Sequence, residues 1–301
     1  MLPVFPDPTT YDESARYLLL RAGAGLLSWL LRLSPTQVRF DGWIQSQLTL
    51  PGVKQRLCDG IAHLADLERG EAPFAALVEV QTRPDGTMPG RLLLAGGLCL
   101  LLLKPTPLPG DRYELTAIVI NLTGKGNSRR NMVLGDTQWI LVPCEVDVES
   151  LDAGTILKEI ASGSAPRELL AFIPLMKRGS DDDIITSWLD VAGRDNDAGR
   201  RGDYSLALVF SEAVRCREKW ETALKGFSMI ESPLIREWKE AAKLESKIGW
   251  LVRVVQGKYK SVVDEVNEGI RRCQDQEALD RWLDVALQAD TLEEFRRQTG
   301  L

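Results

Sequence analysis

Apolar positions in the first half of the chain alternate between two periods. Residues 11–31 carry an apolar stripe at helical spacing, and residues 91–103 form an apolar run bounded by Arg91 and Lys104, so both predict helices. Between them, residues 37–50, 59–66 and Phe74-Ala75-Ala76-Leu77-Val78-Glu79-Val80-Gln81 have strand character. The last two are separated by Glu68-Arg69-Gly70-Glu71-Ala72-Pro73, which reads as a turn. Residues 113–121, rich in β-branched side chains, predict a fourth strand. Strand signals almost stop near 145–150. Beyond Leu151 the pattern is helical, as in Val262, Val263, Val266 and Ile270, and in Leu279, Trp282, Leu283, Ala286 and Leu287. The expected architecture is an α/β domain over residues 1–148 in the order helix, three strands, helix, strand, followed by an all-α region over 149–301.

The third strand carries the candidate chemistry. Alternation puts Glu79 and Gln81 on one face, and polar groups on an apolar strand cost free energy unless something binds them. A hairpin closed around Gly70 sets Asp59 opposite Gln81 and Ile61 opposite Glu79, so that Asp59, Glu79 and Gln81 converge at its open end. Asp66 falls near the turn, about 20 Å from Asp59 at strand rise. Two carboxylates held close repel, and one takes up a proton unless a cation lies between them. Mg²⁺ suits such a pair, with Mn²⁺ as a substitute, because it takes one or two carboxylates and keeps several waters. The competing reading is an ordinary hairpin with a polar edge.

Composition narrows the remaining choices. With 44% hydrophobic and 27% charged residues, the chain has the make-up of a soluble globular protein. The longest apolar run, residues 92–103, is too short to span a bilayer, and the start lacks the pattern of a signal peptide, so a cytoplasmic location is expected. The net charge of −6, divided −2 and −4 at residue 150, leaves no basic domain for non-specific nucleic-acid binding. A local basic strip remains in Gly124-Lys125-Gly126-Asn127-Ser128-Arg129-Arg130, where Lys125, Arg129 and Arg130 could meet phosphates or simply be solvated. The five scattered cysteines predict buried free thiols, with Cys58 directed to the face opposite Asp59. One histidine, His63, excludes a histidine-based triad and reads as a packed or surface side chain. Trp188, Trp220, Trp238, Trp250 and Trp282 read as interhelix anchors, Asp181-Asp182-Asp183 as the start of a helix, and Thr10 with Glu13 as a capping box.

The order of elements resembles the PD-(D/E)XK nuclease core, αβββαβ. Within it, Glu79-Val80-Gln81-Thr82-Arg83-Pro84-Asp85 and the following Met88-Pro89-Gly90-Arg91-Leu92 are similar to the corresponding segment of the recombination-promoting nuclease (Rpn), or transposase-like, family. Tyr11-Asp12-Glu13, the run Ala117–Gly124 and the tail Thr291-Leu292-Glu293-Glu294-Phe295 extend the likeness over most of the chain. The resemblance implies a metal-dependent DNA endonuclease in which Asp59 and Glu79 hold the metal and Gln81 positions the attacking water. Asp12 occupies the place of the family's first-helix acid. Gln81 stands where the superfamily carries lysine, and Ala95-Gly96-Gly97 stands where relatives often carry an aromatic. The alternative is a catalytically silent relative that binds DNA or protein. A homodimer is compatible with either.

Overall fold

The computed structural model describes residues 8–34, 36–44, 58–69, 72–103, 113–225, 232–259 and 264–301. Val262 and Val263 lie outside these residues, as does the part of the expected first strand beyond Ile44. The chain divides into two compact units, Phe5–Ser232 and a smaller one made chiefly of Pro233–Leu301.

The larger unit begins with α1 (Pro8–Ala22) and α2 (Ala24–Leu31), where one helix was expected. Gly23 divides them at φ +52°, a conformation that disfavours side chains. Helix α1 also starts before Thr10, which puts Thr10 inside the helix rather than at its cap. Strands β1 (Val38–Ile44), β2 (Gly60–Asp66) and β3 (Ala72–Gln81) form an antiparallel meander, and α3 (Met88–Leu102) crosses to β4 (Glu114–Asn121), parallel to β3. A hairpin of β5 (Arg130–Leu134) and β6 (Thr137–Leu141) precedes β7 (Cys144–Asp147), which adds in parallel to β4. The five-stranded mixed sheet therefore runs β1-β2-β3-β4-β7. Its α/β character and the helical C-terminal region follow the sequence expectation.

The register of β2 and β3 differs from the expected one by two residues. Ile61 pairs with Leu77, and Asp66 with Ala72, so the hairpin turns about Arg69 instead of Gly70. Asp66 itself sets the turn, because its Oδ1 accepts from the amides of Glu68 (3.0 Å) and Arg69 (3.2 Å). A shift of two preserves the facing of every side chain but brings Asp59 across from Glu79 rather than Gln81.

Among the described residues strands end at Asp147, near the expected change of character at 148, but the compact unit continues to Ser232. It includes α4 (Ala153–Ser162), α5 (Asp182–Gly193), α6 (Ala198–Asp203), α7 (Leu206–Ala213) and α8 (Arg217–Leu224). Tyr17 and Arg21 of α1 donate to the buried carboxylate of Asp203 at 3.2 and 3.0 Å, tying α6 to the first helix. Asp182 and Asp183 lie in the first turn of α5 as expected, with Arg178 paired to Asp181 and Asp183. Trp188 and Trp220 are fully buried and pack edge to face, each donating its indole N–H to a backbone carbonyl.

The smaller unit comprises α9 (Pro233–Tyr259), α10 (Asp264–Arg272), α11 (Gln276–Gln288) and α12 (Leu292–Thr299) around Leu251, Val255, Val266, Ile270, Leu279, Ala286 and Phe295. Two expectations fail there. Trp250 is 62% exposed and Leu287 equally so, because each lies outside the buried stripe of its helix. Trp282 is partly buried against this core, and the side chain of Trp238 lies outside the described residues. Among the described residues, no helix is long and apolar enough to cross a membrane.

Candidate functional site

The site forms where β3 and β4 end side by side and α1 crosses the open end of the β2–β3 hairpin. Asp59 precedes β2, and there its side chain takes over from the backbone ladder. Its amide donates to Val78 O at 3.1 Å, while its Oδ2 accepts from the amide of Val80 at 2.8 Å. Helix α1 braces both strands. Arg16 Nε donates to the Asp59 carbonyl at 3.1 Å, and Thr82 Oγ1 donates to Asp12 Oδ1 at 2.7 Å. Asp12 therefore reaches the neighbourhood of the site, as expected. Burial raises its pKa, opposed by the bonds from Thr82, and the Asp59 charge raises it further.

Glu79 has no solvent exposure. Its Oε2 is 2.6 Å from Arg91 Nη2, whereas its Oε1 is buried without a hydrogen-bond partner. Burial, reinforced by the Asp59 carboxylate, pushes its pKa up to about 8 in spite of the Arg91 guanidinium. An orphaned carboxylate oxygen is costly to bury. Asp59 and Glu79 thus set two carboxyl groups side by side, where a shared proton holds them together in the metal-free protein, and this donor set fits a hard divalent cation in that proton's place. Among the described residues, no group of three or more His, Cys, Asp or Glu side chains could hold a metal ion, so the candidate ligands are a pair.

Gln81 is buried, and both ends of its amide are engaged. Nε2 donates to Asn121 Oδ1 at 2.5 Å, and Oε1 accepts from the Asp85 amide at 3.1 Å. Asp85 in turn accepts from Thr87 N and Oγ1, shaping the turn that leads into α3 and delivers Arg91 to Glu79. The Asn121 amide group donates to Glu145 Oε1 (3.0 Å) and Asp147 Oδ1 (2.7 Å). Sequence reasoning assigned no role to Arg91, Asn121, Glu145 or Asp147. Arg91 was legible only as a motif position. Asn121 likewise stood only within the motif run Ala117–Gly124, and its meeting with Glu145 and Asp147 depends on the parallel pairing of β4 with β3 and β7.

The basic loop follows β4 and is fastened by those two acids together with Glu149. Gly124 N donates to Glu149 Oε2 (2.5 Å) and Gly126 N to Asp147 Oδ1 (2.9 Å). Ser128 donates through N and Oγ to Glu145 (2.8 and 2.9 Å). A Cβ at Gly126 would lie 2.0 Å from both Asn121 Nδ2 and Glu145 Oε1, so only glycine fits. Lys125, Arg129 and Arg130 are exposed, and Arg130 also donates to the carbonyls of Asn127 and Arg129. The loop departs from the site's edge, since Leu122 N and Thr123 N donate to the carbonyls of Gln81 and Thr82.

Two other expectations resolve here. Cys58 lies on the same side as Asp59, in a cluster with Ile61, Leu77, Ala95 and Cys99, because regular strand alternation starts only at Gly60. Burial and the nearby Glu79 and Asp59 push its thiol pKa up to about 12. His63 packs edge to face on Tyr113 with centroids 5.3 Å apart. A cavity of about 460 Å³ lined by Trp29, Arg32, Glu145, Asp147, Asp152 and Glu159 contains none of Asp59, Glu79 or Gln81.

Comparison with known proteins leaves the geometry to stand alone: no family model, no curated protein and no solved structure matches the chain.

Proposed function

We propose that the chain is a PD-(D/E)XK-like, Mg²⁺-dependent endonuclease that hydrolyses DNA phosphodiester bonds. The observation that carries this reading is a fully buried Glu79 set beside Asp59, with a raised pKa and an Oε1 that no amide, hydroxyl or guanidinium donor reaches. Asp59 and Glu79 would hold the metal, with Mn²⁺ able to replace it. When bound, such an ion polarises phosphate oxygens and lowers the pKa of a bound water. Gln81 contributes a neutral amide whose remaining N–H and lone pair orient water without adding charge. Asp12, anchored by Thr82, adds a carboxylate at the margin and keeps α1 over the site. Lys125, Arg129 and Arg130 meet the DNA backbone from the β4 end of the sheet.

The test is nicking of supercoiled plasmid with Mg²⁺, alongside calorimetric titration of Mg²⁺ into protein alone. Asp59→Ala and Glu79→Ala should each abolish nicking and metal binding while the far-UV spectrum stays unchanged. A variant that cuts as fast as the parent removes that residue from the site.

A second reading is favoured by one observation. Arg91 already supplies Glu79 with a cation at 2.6 Å, as in a relative that has lost catalysis and binds DNA or protein without metal. Under that reading the parent binds no Mg²⁺ and Glu79→Ala leaves DNA binding intact.

A further inference from the structure

The Asn121 side chain lies between two carboxylates and Gln81, and this arrangement dictates the orientation of both amides. Asn121 is fully buried, and its Nδ2 has two hydrogens, one directed to Glu145 Oε1 and one to Asp147 Oδ1. A flipped amide would turn its oxygen onto both carboxylates, so Oδ1 must face Gln81. Gln81 must then present Nε2, because its own oxygen would otherwise meet Asn121 Oδ1. The opposite end agrees, with Gln81 Oε1 accepting the Asp85 N–H at 3.1 Å. A flip at Gln81 would replace two hydrogen bonds by two repulsions.

We propose that Asn121 is a positioning residue, oriented by Glu145 and Asp147, that locks the amide of Gln81 in one sense. The inference rests on the reading of the Asp59–Glu79 pair as a reactive site. Gln81 is left with one N–H and one lone pair to offer there, a fixed donor–acceptor pattern instead of a rotor. Glu145 and Asp147 also hold Ser128 and Gly126, so the orientation of Gln81 and the path of the basic loop share the same two anchors. DNA contact at the loop and water placement at Gln81 are thereby coupled through hydrogen bonds already in place.

The experiment separates orientation from turnover. Glutamine side chains are labelled with ¹⁵N, the Gln81 pair is assigned by its disappearance in Gln81→Ala, and amide proton exchange is followed in full-length protein without metal. In the parent, one Gln81 Nε2 proton should exchange about ten-fold or more slowly than those of exposed glutamines, the effect of a retained buried hydrogen bond. Asn121→Leu should abolish that protection. The doubly isosteric Glu145→Gln/Asp147→Asn should weaken it while keeping hydrogen-bond acceptors for the loop, and it carries the test if Asn121→Leu fails to fold. In plasmid nicking, both variants should lose kcat by about ten-fold, with KM for DNA within about two-fold. Unchanged Gln81 protection in both variants overturns the proposal, as does a fall in stability with kcat unchanged. Protection that collapses as expected, in a protein whose parent does not nick DNA, leaves the orientation standing and sinks the nuclease reading instead.

Discussion

Arg91 Nη2 lies 2.6 Å from Glu79 Oε2, joining a guanidinium that is 40% exposed to a carboxylate with no exposure. The two residues belong to consecutive elements, β3 and α3, linked by the turn that Asp85 shapes. The pair engages one oxygen of Glu79 and leaves the other to the neighbouring Asp59 carboxyl group. Arg91 thus guards the carboxylate in the metal-free protein without filling its binding capacity.

That relationship predicts a pH-dependent cost for Arg91→Ala. At pH 9, above the Glu79 pKa of about 8 that Arg91 helps to hold down, the variant must either bury an unpaired charge or take up a proton, and its stability should fall by about 1–2 kcal/mol once solvent screening of Arg91 is allowed for. At pH 5 Glu79 is protonated in the folded state and the loss should be much smaller. Urea unfolding at the two pH values measures the difference, and equal losses would show that the Arg91 charge has little to do with Glu79.

The raised pKa of Glu79 also sets the sign of the metal-free pH profile. Folding favours the protonated form, so this contribution is complete below the ordinary value of 4.5 and is lost as pH rises through about 8. Mg²⁺ requires the carboxylate, and its binding should release about one proton at pH 6 and almost none at pH 9.5. Calorimetry in buffers of different ionisation enthalpy counts those protons. A proton count independent of pH would remove Glu79 from the ligand set.

Asp66 closes the hairpin at the end remote from Asp59, about 20 Å away along the strand. Asp66→Asn keeps an oxygen for the turn amides, so nicking should stay within about two-fold of the parent and stability within about 1 kcal/mol. A loss as deep as that of Asp59→Ala would show that the turn transmits to the site.

Replacing Lys125, Arg129 and Arg130 together with Ala should weaken DNA binding about equally for all sequences. The slope of log K against log salt should flatten by roughly 0.9 for each lost phosphate contact. Fluorescence anisotropy at four salt concentrations, with Ca²⁺ in place of Mg²⁺, reads the slope. An unchanged slope takes the loop off the DNA-binding surface. Arg271, Arg272, Arg296 and Arg297 would be the next cations to replace, although Arg272, Arg296 and Arg297 are paired with Glu268, Glu265 and Glu294.

What the sequence by itself determined was the type and order of the elements from α1 to β4 and the facing of Glu79 and Gln81, whereas the β5–β6 hairpin and β7 were not foreseen. Strand alternation is a local property with period two, so it put Glu79 and Gln81 on one face, and the two-residue error in register left that parity intact. The helical stripe of 11–31 was legible for the same reason, but the break at Gly23 was not, since glycine within a helix costs little enough to be overridden either way. Tertiary structure alone decided the rest. Asp66 Oδ1 chose the turn, Arg91 reached Glu79 from a different element, and Asn121 met Glu145 and Asp147 because β7 joins β4 in parallel beyond an intervening hairpin. These are contacts between positions whose separation in the chain bears no fixed relation to their distance in space, and periodicity carries no information about them.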